Sequence, residues 1–509
     1  MPRNTASIPE PVEHQHVYPP NLMDRTHARA DDVKRLLENT KDEEIVFVAE
    51  TPRGVETEFL VCTLREHPDD ASHPFTFDLS TYAEVPRDVL DRHLLKAFPG
   101  ALTEDELHVI VSTRSGTGQA ERFYSDVLRV LLEKLGLHSS APQETRGSPS
   151  KASSSPRTYH LLVTQSSQSI KEFAQELWKS EGVRRAGSAV ETRNRSIVLL
   201  SGDGGIVDLL NGGADDSPDA PTPTIALLPL GTGNALFHSL HKPHYPPSST
   251  ASVEPTPLVL GLRSLFRGTA SPLPTFRASF SPGARLVSYS PPRDAETEPV
   301  AAPPEEHRDV VDHLYGAIVA SYGFHAQLVW ESDTPEYRRH GDKRFGMVAQ
   351  ELLKTSHAYR ADVELLPAAA GDEPVASAPA RLLPRAHFGY VLASMVSNLE
   401  KNFTISPASR PLDGQLRLVH FGAVGAERTR QIMGQAYQQG AHVGMRWTDE
   451  AGVEDGVGYD EVDEFTVTVR EQDPRWRKVC IDGTVVEIPE GGWMRVGKAA
   501  GSRYRVLVH

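Results

Sequence analysis

The chain has 509 residues, a formal net charge of -15 and 39% hydrophobic residues. That length is enough for several domains with buried cores. The acidic balance excludes a general nucleic-acid binder, whose phosphate contacts need an excess of Lys and Arg. The two cysteines, Cys62 and Cys480, exclude a disulfide scaffold or a cysteine metal cluster and suit a reducing compartment.

Residues 1–41 are polar and Pro-containing, the composition of a disordered tail without the apolar core of a signal peptide. No apolar run approaches the roughly 20 residues a membrane span needs. Residues 42–100 read as a small β-rich region: "EEIVFVAETPRGVETEFLVCTLRE" predicts two strands around a turn at Pro52–Gly54, and "PRDVLDRHLLKAF" a short helix.

From residue 101 to 245 the pattern alternates. "HVIVS" predicts a strand and "TRSGTGQ" a turn. Phe123, Val127, Leu128, Leu131 and Leu132 then recur at helical period. "SSAPQETRGSPSKASSSPR" reads as a low-complexity surface loop. "TYHLLVTQ", "RSIVLL" and "PTIALLPL" predict further strands, with helices at "SIKEFAQELWKSEG" and "GIVDLLNGG". Strand, glycine turn and helix in succession make an α/β layered sheet.

Residues 246–509 change character. Strand-like runs include "TFRASF", "LYGAIVASYGFHAQLVW", "FGYVLASMVS", "GQLRLVHF", "EFTVTVRE", "KVCIDGTVVEI" and "YRVLV". Helices are expected at "RFGMVAQELL" and "ERTRQIMGQAYQQG". The expected fold is an α/β amino-terminal domain with a Rossmann-like layered sheet, followed by a mostly antiparallel β-sandwich domain.

Three glycine turns follow three predicted strands. The first spans Ser112, Thr113, Arg114, Gly116 and Gly118. The second is Ser201, Gly202, Asp203 and Gly204, and the third Gly231, Thr232, Gly233 and Asn234. Turns at the carboxyl ends of strands are where open α/β sheets place ligands, and their amides suit phosphate oxygens. Asp203 suits either Mg²⁺ orientation or proton acceptance. From its segment alone, a plain strand-to-helix turn remains equally open. Neither of the last two turns is a P-loop or a full dinucleotide fingerprint.

Taken together, the motifs resemble the diacylglycerol-kinase catalytic domain superfamily, and most closely its sphingosine (long-chain base) kinase branch. The resemblance rests on "STRSGTG", on Ser201, Gly202, Asp203, Gly204, Asp208, Asn211 and Gly212, and on Pro229, Gly231, Thr232, Gly233, Asn234 and Ala235. It continues through "SYGFHAQLVWESDTPEYRRHGDKRF", "SPASRPLDGQLRLVHF" and "VCIDGTVVEI", covering about Leu107 to Val508.

The resemblance implies an ATP-dependent lipid kinase using Mg²⁺, with Asp203 as catalytic residue. The glycine turns, Asp208, Arg338, Arg339, Arg344, Asp482 and Gly483 would hold the nucleotide. Ser201, Asp203, His325 and Gln327 would meet the lipid. The expected acceptor is a sphingoid base. Diacylglycerol, ceramide, or a catalytically weak lipid-binding protein are the alternatives. A cytoplasmic protein with peripheral membrane contact is expected, and no metal ligands are assigned.

Three departures from the pattern stand out. Ser112 and Thr113 replace Asn-Pro, Thr484 replaces an acid, and Gln327 replaces an Asp that would suit an amine. "HSLHKPH" reads as a surface helix end, because Pro243 breaks the face a zinc site would need. "EDGVGYDEVDEF" lacks the ligand alternation of a calcium loop. "LVLGLRSLFRG" is either a membrane-docking helix or an ordinary core helix.

Overall fold

The strands Glu106–Val111, Arg195–Ser201 and Thr224–Pro229 are buried almost throughout. Such continuously apolar strands need cover on both faces, the condition of a parallel sheet. In the computed structural model they lie side by side and parallel, within a seven-stranded sheet. Its order is Leu137–Ser139, Arg157–Val163, Glu106–Val111, Arg195–Ser201, Thr224–Pro229, Arg505–Val508 and Thr269–Pro272. The structure describes residues 41–53, 56–68, 70–104, 106–116, 118–140, 157–185, 194–213, 222–245, 254–289, 306–341, 343–368, 379–448, 452 and 454–509. The expected tail before Lys41, and most of the expected low-complexity loops, lie outside these residues.

Alternate side chains of the parallel strands enter opposite cores. Val109, Val111, Val198, Leu200 and Leu228 face the helices Ala120–Phe123 to Arg129–Lys134 and Pro257–Arg267. Ile110, Ile197, Leu199, Ile225 and Leu227 face Ser169–Arg185, Asp203–Gly212 and Ala235–His241. The second of these cores continues into the following region through Ile318, Val319, Tyr390, Leu392 and Phe421. A separate core fills the thirteen-stranded antiparallel sheet that makes up that region.

Residues 45–82 form a three-stranded antiparallel sheet, Ile45–Arg53, Glu56–Glu66 and Phe75–Tyr82. It shares a core with the parallel sheet. Phe47 packs on Phe266 at 4.5 Å between ring centroids, and Arg263 donates to Ile45 O at 2.9 Å and to Asp42 O at 2.8 Å. The helix Pro257–Arg267 is therefore a core helix. Its apolar face lies against these strands, and its arginine closes their edge, so neither is offered to a membrane.

Three local expectations are corrected. "FHAQLVW" is helical, not extended: Gly323, at φ +88°, ends the strand Val319–Gly323 and opens the helix Phe324–Ser332. "YRVLV" joins the parallel sheet beside Thr224–Pro229, because Val506 and Leu507 serve opposite cores. His238 and His241 are buried core residues rather than a surface helix end. His238 Nδ1 lies 2.8 Å from Tyr245 Oη, and His241 Nε2 lies 2.7 Å from Ser264 Oγ. Burial lowers both rings to about 4, so they are neutral at pH 7.

At the amino end of the parallel sheet, Glu106 sits beside the His108 ring at 3.2 Å and accepts from Arg195 Nε at 3.0 Å. These neighbours, His108 first, hold its carboxyl down at about 2. A lowered acid stabilises the fold above its unfolded value and loses that effect as pH falls. Glu106→Gln should cost about 2–3 kcal/mol at pH 7 and remove the matching loss between roughly pH 4.5 and 2. Urea denaturation across that range checks this; superimposable acid limbs for the two proteins would contradict it. Phe47→Ala should cost about 3–5 kcal/mol in the same measurement at pH 7.

Candidate active site

The strand order places a switch point between Glu106–Val111 and Arg195–Ser201. The chain leaves the first toward one edge of the sheet and the second toward the other. Crevices at such points are the usual ligand sites of open parallel sheets. The three glycine turns follow three adjacent strands there.

The turns are in backbone contact. A methyl added at Gly116, whose φ is +52°, would lie 2.3 Å from Leu230 O. One added at Gly231 would lie 2.3 Å from Gly202 Cα, and one at Gly202 would lie 2.7 Å from Gly231 Cα. Side chains complete the lock. Gly202 N donates to Ser115 Oγ at 2.9 Å, and Asn234 Oδ1 accepts from Gly231 N at 3.0 Å while its Nδ2 donates to Gly231 O at 2.9 Å. Asn234 pays for this closure with a left-handed φ of 50°. Thr113 ties the first turn to the end of Arg157–Val163, its N donating to Thr164 Oγ1 and its Oγ1 to Thr164 O, both at 3.0 Å. Ser112 N donates to Leu200 O at 3.0 Å.

What remains open is a rim. Arg114, Gly116, Gly118, Gly204 and Thr232 are exposed, and nothing lies within 4 Å of a methyl placed on Gly118 or Gly204. Ser201 is buried behind the rim. Asp208 lies farther along its helix, where burial raises its carboxyl to about 7 against the opposing charge of Lys171.

Asp203 begins the helix Asp203–Gly212 but reaches across to the next turn. Its Oδ2 accepts from Ala235 N at 2.7 Å and its Oδ1 from Leu236 N at 3.1 Å. Those amides favour the carboxylate, yet its removal from water wins, and the pKa stands above the usual range. Asp203 is thus a fixed acid between the second and third turns.

Asp482 approaches from the antiparallel sheet. Asp482 and Gly483, at φ 46° and 90°, form the two-residue turn between Lys478–Ile481 and Thr484–Glu487. Positive φ at both positions is what an Asp-Gly hairpin supplies. The turn aims the carboxylate at the amides of Ala317 (2.6 Å), Ile318 (3.1 Å) and Val319 (2.6 Å). Burial, with the nearby charge of Asp203 adding to it, raises Asp482 to about 7 against those amides. The charge of Asp203, from the parallel-sheet region, thus reaches Asp482.

The other expected residues stand apart from the turns. His325 Nδ1 lies 2.8 Å from Ser321 Oγ, and burial lowers the ring to about 4. Gln327 is 1% exposed; its Nε2 donates to Glu331 Oε1 at 2.7 Å, and its Oε1 has no partner among the described residues. Arg338 pairs with Asp333, Nε to Oδ1 at 2.9 Å. Arg339 reaches His340, and Arg344 lies over the Phe345 ring at 4.9 Å. Among the described residues, no hydrogen bond or ion pair joins these five side chains to the glycine turns. Sequence reasoning also missed Ser115 as the bridge between turns. Its place inside "SGTG" was the available signal.

Residues 106–257 match the family Diacylglycerol kinase catalytic domain. No curated protein matches the chain. Two solved structures from Bacillus anthracis str. Sterne align with 80% of it. One, described as a "putative diacylglycerol kinase", is 11% identical over 96% of its own length with a TM-score of 0.46. The other, described as a diacylglycerol kinase, is 10% identical over 97% with a TM-score of 0.41. The matched segment, residues 106–257, contains all three turns, Asp203 and Asp208. Asp482, His325, Gln327 and the three arginines come from residues that follow it.

Gly231→Ala should drive a methyl into Gly202 backbone and cost about 3 kcal/mol or more. Gly204→Ala, in a helical first turn with free space, should be neutral or stabilising by up to about 1 kcal/mol. Thermal denaturation of both variants checks the contrast. Equal melting temperatures would show that the turns do not bear on one another.

Proposed function

We propose that this protein is an ATP-dependent kinase for a neutral lipid hydroxyl, of the diacylglycerol or ceramide class, acting at a membrane surface. The observation that carries the reading is the locked set of glycine turns with the Asp203 carboxylate held beside it. Turns packed too closely for a methyl between them, with open space beside Gly118 and Gly204, fit a chain of phosphates. Among the described residues no three His, Cys, Asp or Glu groups converge. That suits Mg²⁺, which binds through one or two carboxylates and the substrate phosphates; Asp203 and Asp482 are the candidates. When bound, Mg-ATP supplies the phosphoryl group and the counter-charge that steadies it.

The protein's own part is position and proton affinity. The amides of Ala235 and Leu236 orient Asp203, and its raised pKa makes the carboxylate a better acceptor for a hydroxyl proton. The backbone of the turns holds phosphate charge without side-chain reorganisation.

The sphingoid base expected from sequence carries an amine. Gln327 offers it no charge, and the neighbouring Glu331 is already engaged by Gln327 and by Arg475 Nη2 at 2.8 Å. This favours a neutral head group. Among the described residues no helix is long and apolar enough to cross a membrane, so the proposed contact is peripheral.

The test is phosphate transfer from Mg-ATP to vesicles containing diacylglycerol, ceramide or a sphingoid base. A neutral lipid should be labelled fastest. Asp203→Asn should lower kcat by at least about 100-fold, the scale of a lost proton acceptor. No transfer to any lipid by folded protein would overturn the reading, and preference for the sphingoid base would overturn the head-group assignment.

A further inference from the structure

The helix that starts at Asp203 is bolted to the antiparallel sheet at its other end. Asn211 Nδ2 donates to Tyr315 O at 2.9 Å and to Val207 O at 2.8 Å, and its Oδ1 accepts from Tyr315 N at 2.9 Å. One side-chain amide thus satisfies both main-chain groups of a strand residue, as a neighbouring strand would. Tyr315 belongs to His313–Gly316, whose other edge pairs with Phe276–Phe280. Asn211 stands in for a missing strand on the open edge.

A second contact reinforces the same end. Arg503 lies over the Tyr315 ring at 4.0 Å and donates to Leu210 O at 3.1 Å, and Tyr504 Oη donates to Leu209 O at 3.1 Å. The last carbonyls of the helix are therefore held by residues that lead into Arg505–Val508.

The two ends are linked by chain geometry. Asp203 and Asn211 are eight residues apart, about 12 Å along a helix axis. From Tyr315 the chain reaches Ala317, Ile318 and Val319 within four residues, a span of up to about 13 Å when extended. Those three amides hold Asp482, and a methyl on Gly316, next to Tyr315, would lie 3.0 Å from Asp482 Oδ2. The path from Asn211 through Tyr315 thus leads directly to Asp482.

We propose that Asn211 is a positioning residue for phosphoryl transfer. By fixing His313–Gly316 against the Asp203 helix, it sets the placement of Asp482 relative to Asp203. The inference rests on the kinase reading for its catalytic consequence, but the clamp itself is measurable without turnover.

The test uses the full chain with Asn211→Ala and Asn211→Asp. In Asn211→Ala, hydrogen exchange at the Ala317–Val319 amides should quicken at least about 10-fold while the parallel strands keep their protection. The kcat should fall about 30-fold or more with KM for ATP changing less than about 3-fold, the pattern of lost alignment rather than lost binding. In an Asp482→Asn background the further loss from Asn211→Ala should shrink to less than about 3-fold, because both act on one placement. Asn211→Asp keeps the acceptor for Tyr315 N and, once protonated, regains a donor, so its kcat relative to the unsubstituted protein should recover as pH falls from 8 to 5.5.

If Asn211→Ala fails to fold, Asn211→Asp decides by its pH profile, and a flat ratio overturns the proposal. Lost protection with unchanged kcat overturns it too, as does full additivity with Asp482→Asn. Absence of lipid phosphorylation by the unsubstituted protein overturns the kinase reading instead, while exchange at Ala317–Val319 still decides the clamp.

Discussion

The site depends on glycine backbones touching. Gly202 and Gly231 approach so closely that a methyl on either would overlap the other, and Gly116 meets the carbonyl that precedes Gly231. Such contact leaves no room for side chains, and that is what brings three strand ends to one rim. Side chains then serve as fasteners. Ser115 and Asn234 satisfy buried amides that the tight packing would otherwise strand. Asp203 does the same for the amides of Ala235 and Leu236, so one group is both a structural cap and the candidate proton acceptor.

That double role explains how the acid is held. A carboxylate that receives two amides is oriented, and one removed from water has its proton affinity raised; the structure applies both effects to Asp203. Asp482 repeats the arrangement from the opposite sheet with three amides. Neither acid carries a nearby basic partner among the effects that shift it. The charge of Asp203 therefore raises Asp482 with no basic neighbour to offset it, a setting in which the proposed phosphoryl transfer would bring its own cation.

The sequence carried the parallel strands because they are buried on both faces and read as unbroken apolar runs. It carried the turns because Gly, Asp and Asn punctuate them. It did not carry long-range exchange. "YRVLV" looks like any antiparallel strand, and its place beside Thr224–Pro229 follows from two cores that form only after the chain has returned. "FHAQLVW" reads as extended by composition, and a single positive φ at Gly323 turns it into a helix. His238 and His241 look solvated by residue type, yet the antiparallel region covers their helix. In the site, Asp203 and the glycines were legible as motifs. The amide nest around Asp482 was not, because its donors lie more than 160 residues upstream.

The departures from the resembled pattern make sense in the same electrostatic terms. Thr484 stands where an acid is expected, next to the turn that carries Asp482. A third carboxylate there would stand beside Asp482, which the charge of Asp203 already raises, so its absence lowers the repulsion there. Gln327 carries no charge; its amide donates to Glu331, which also accepts from Arg475. Under the proposed kinase reading, an uncharged Gln327 gives an ammonium head group no partner, whereas a hydroxyl requires only an acceptor for its proton.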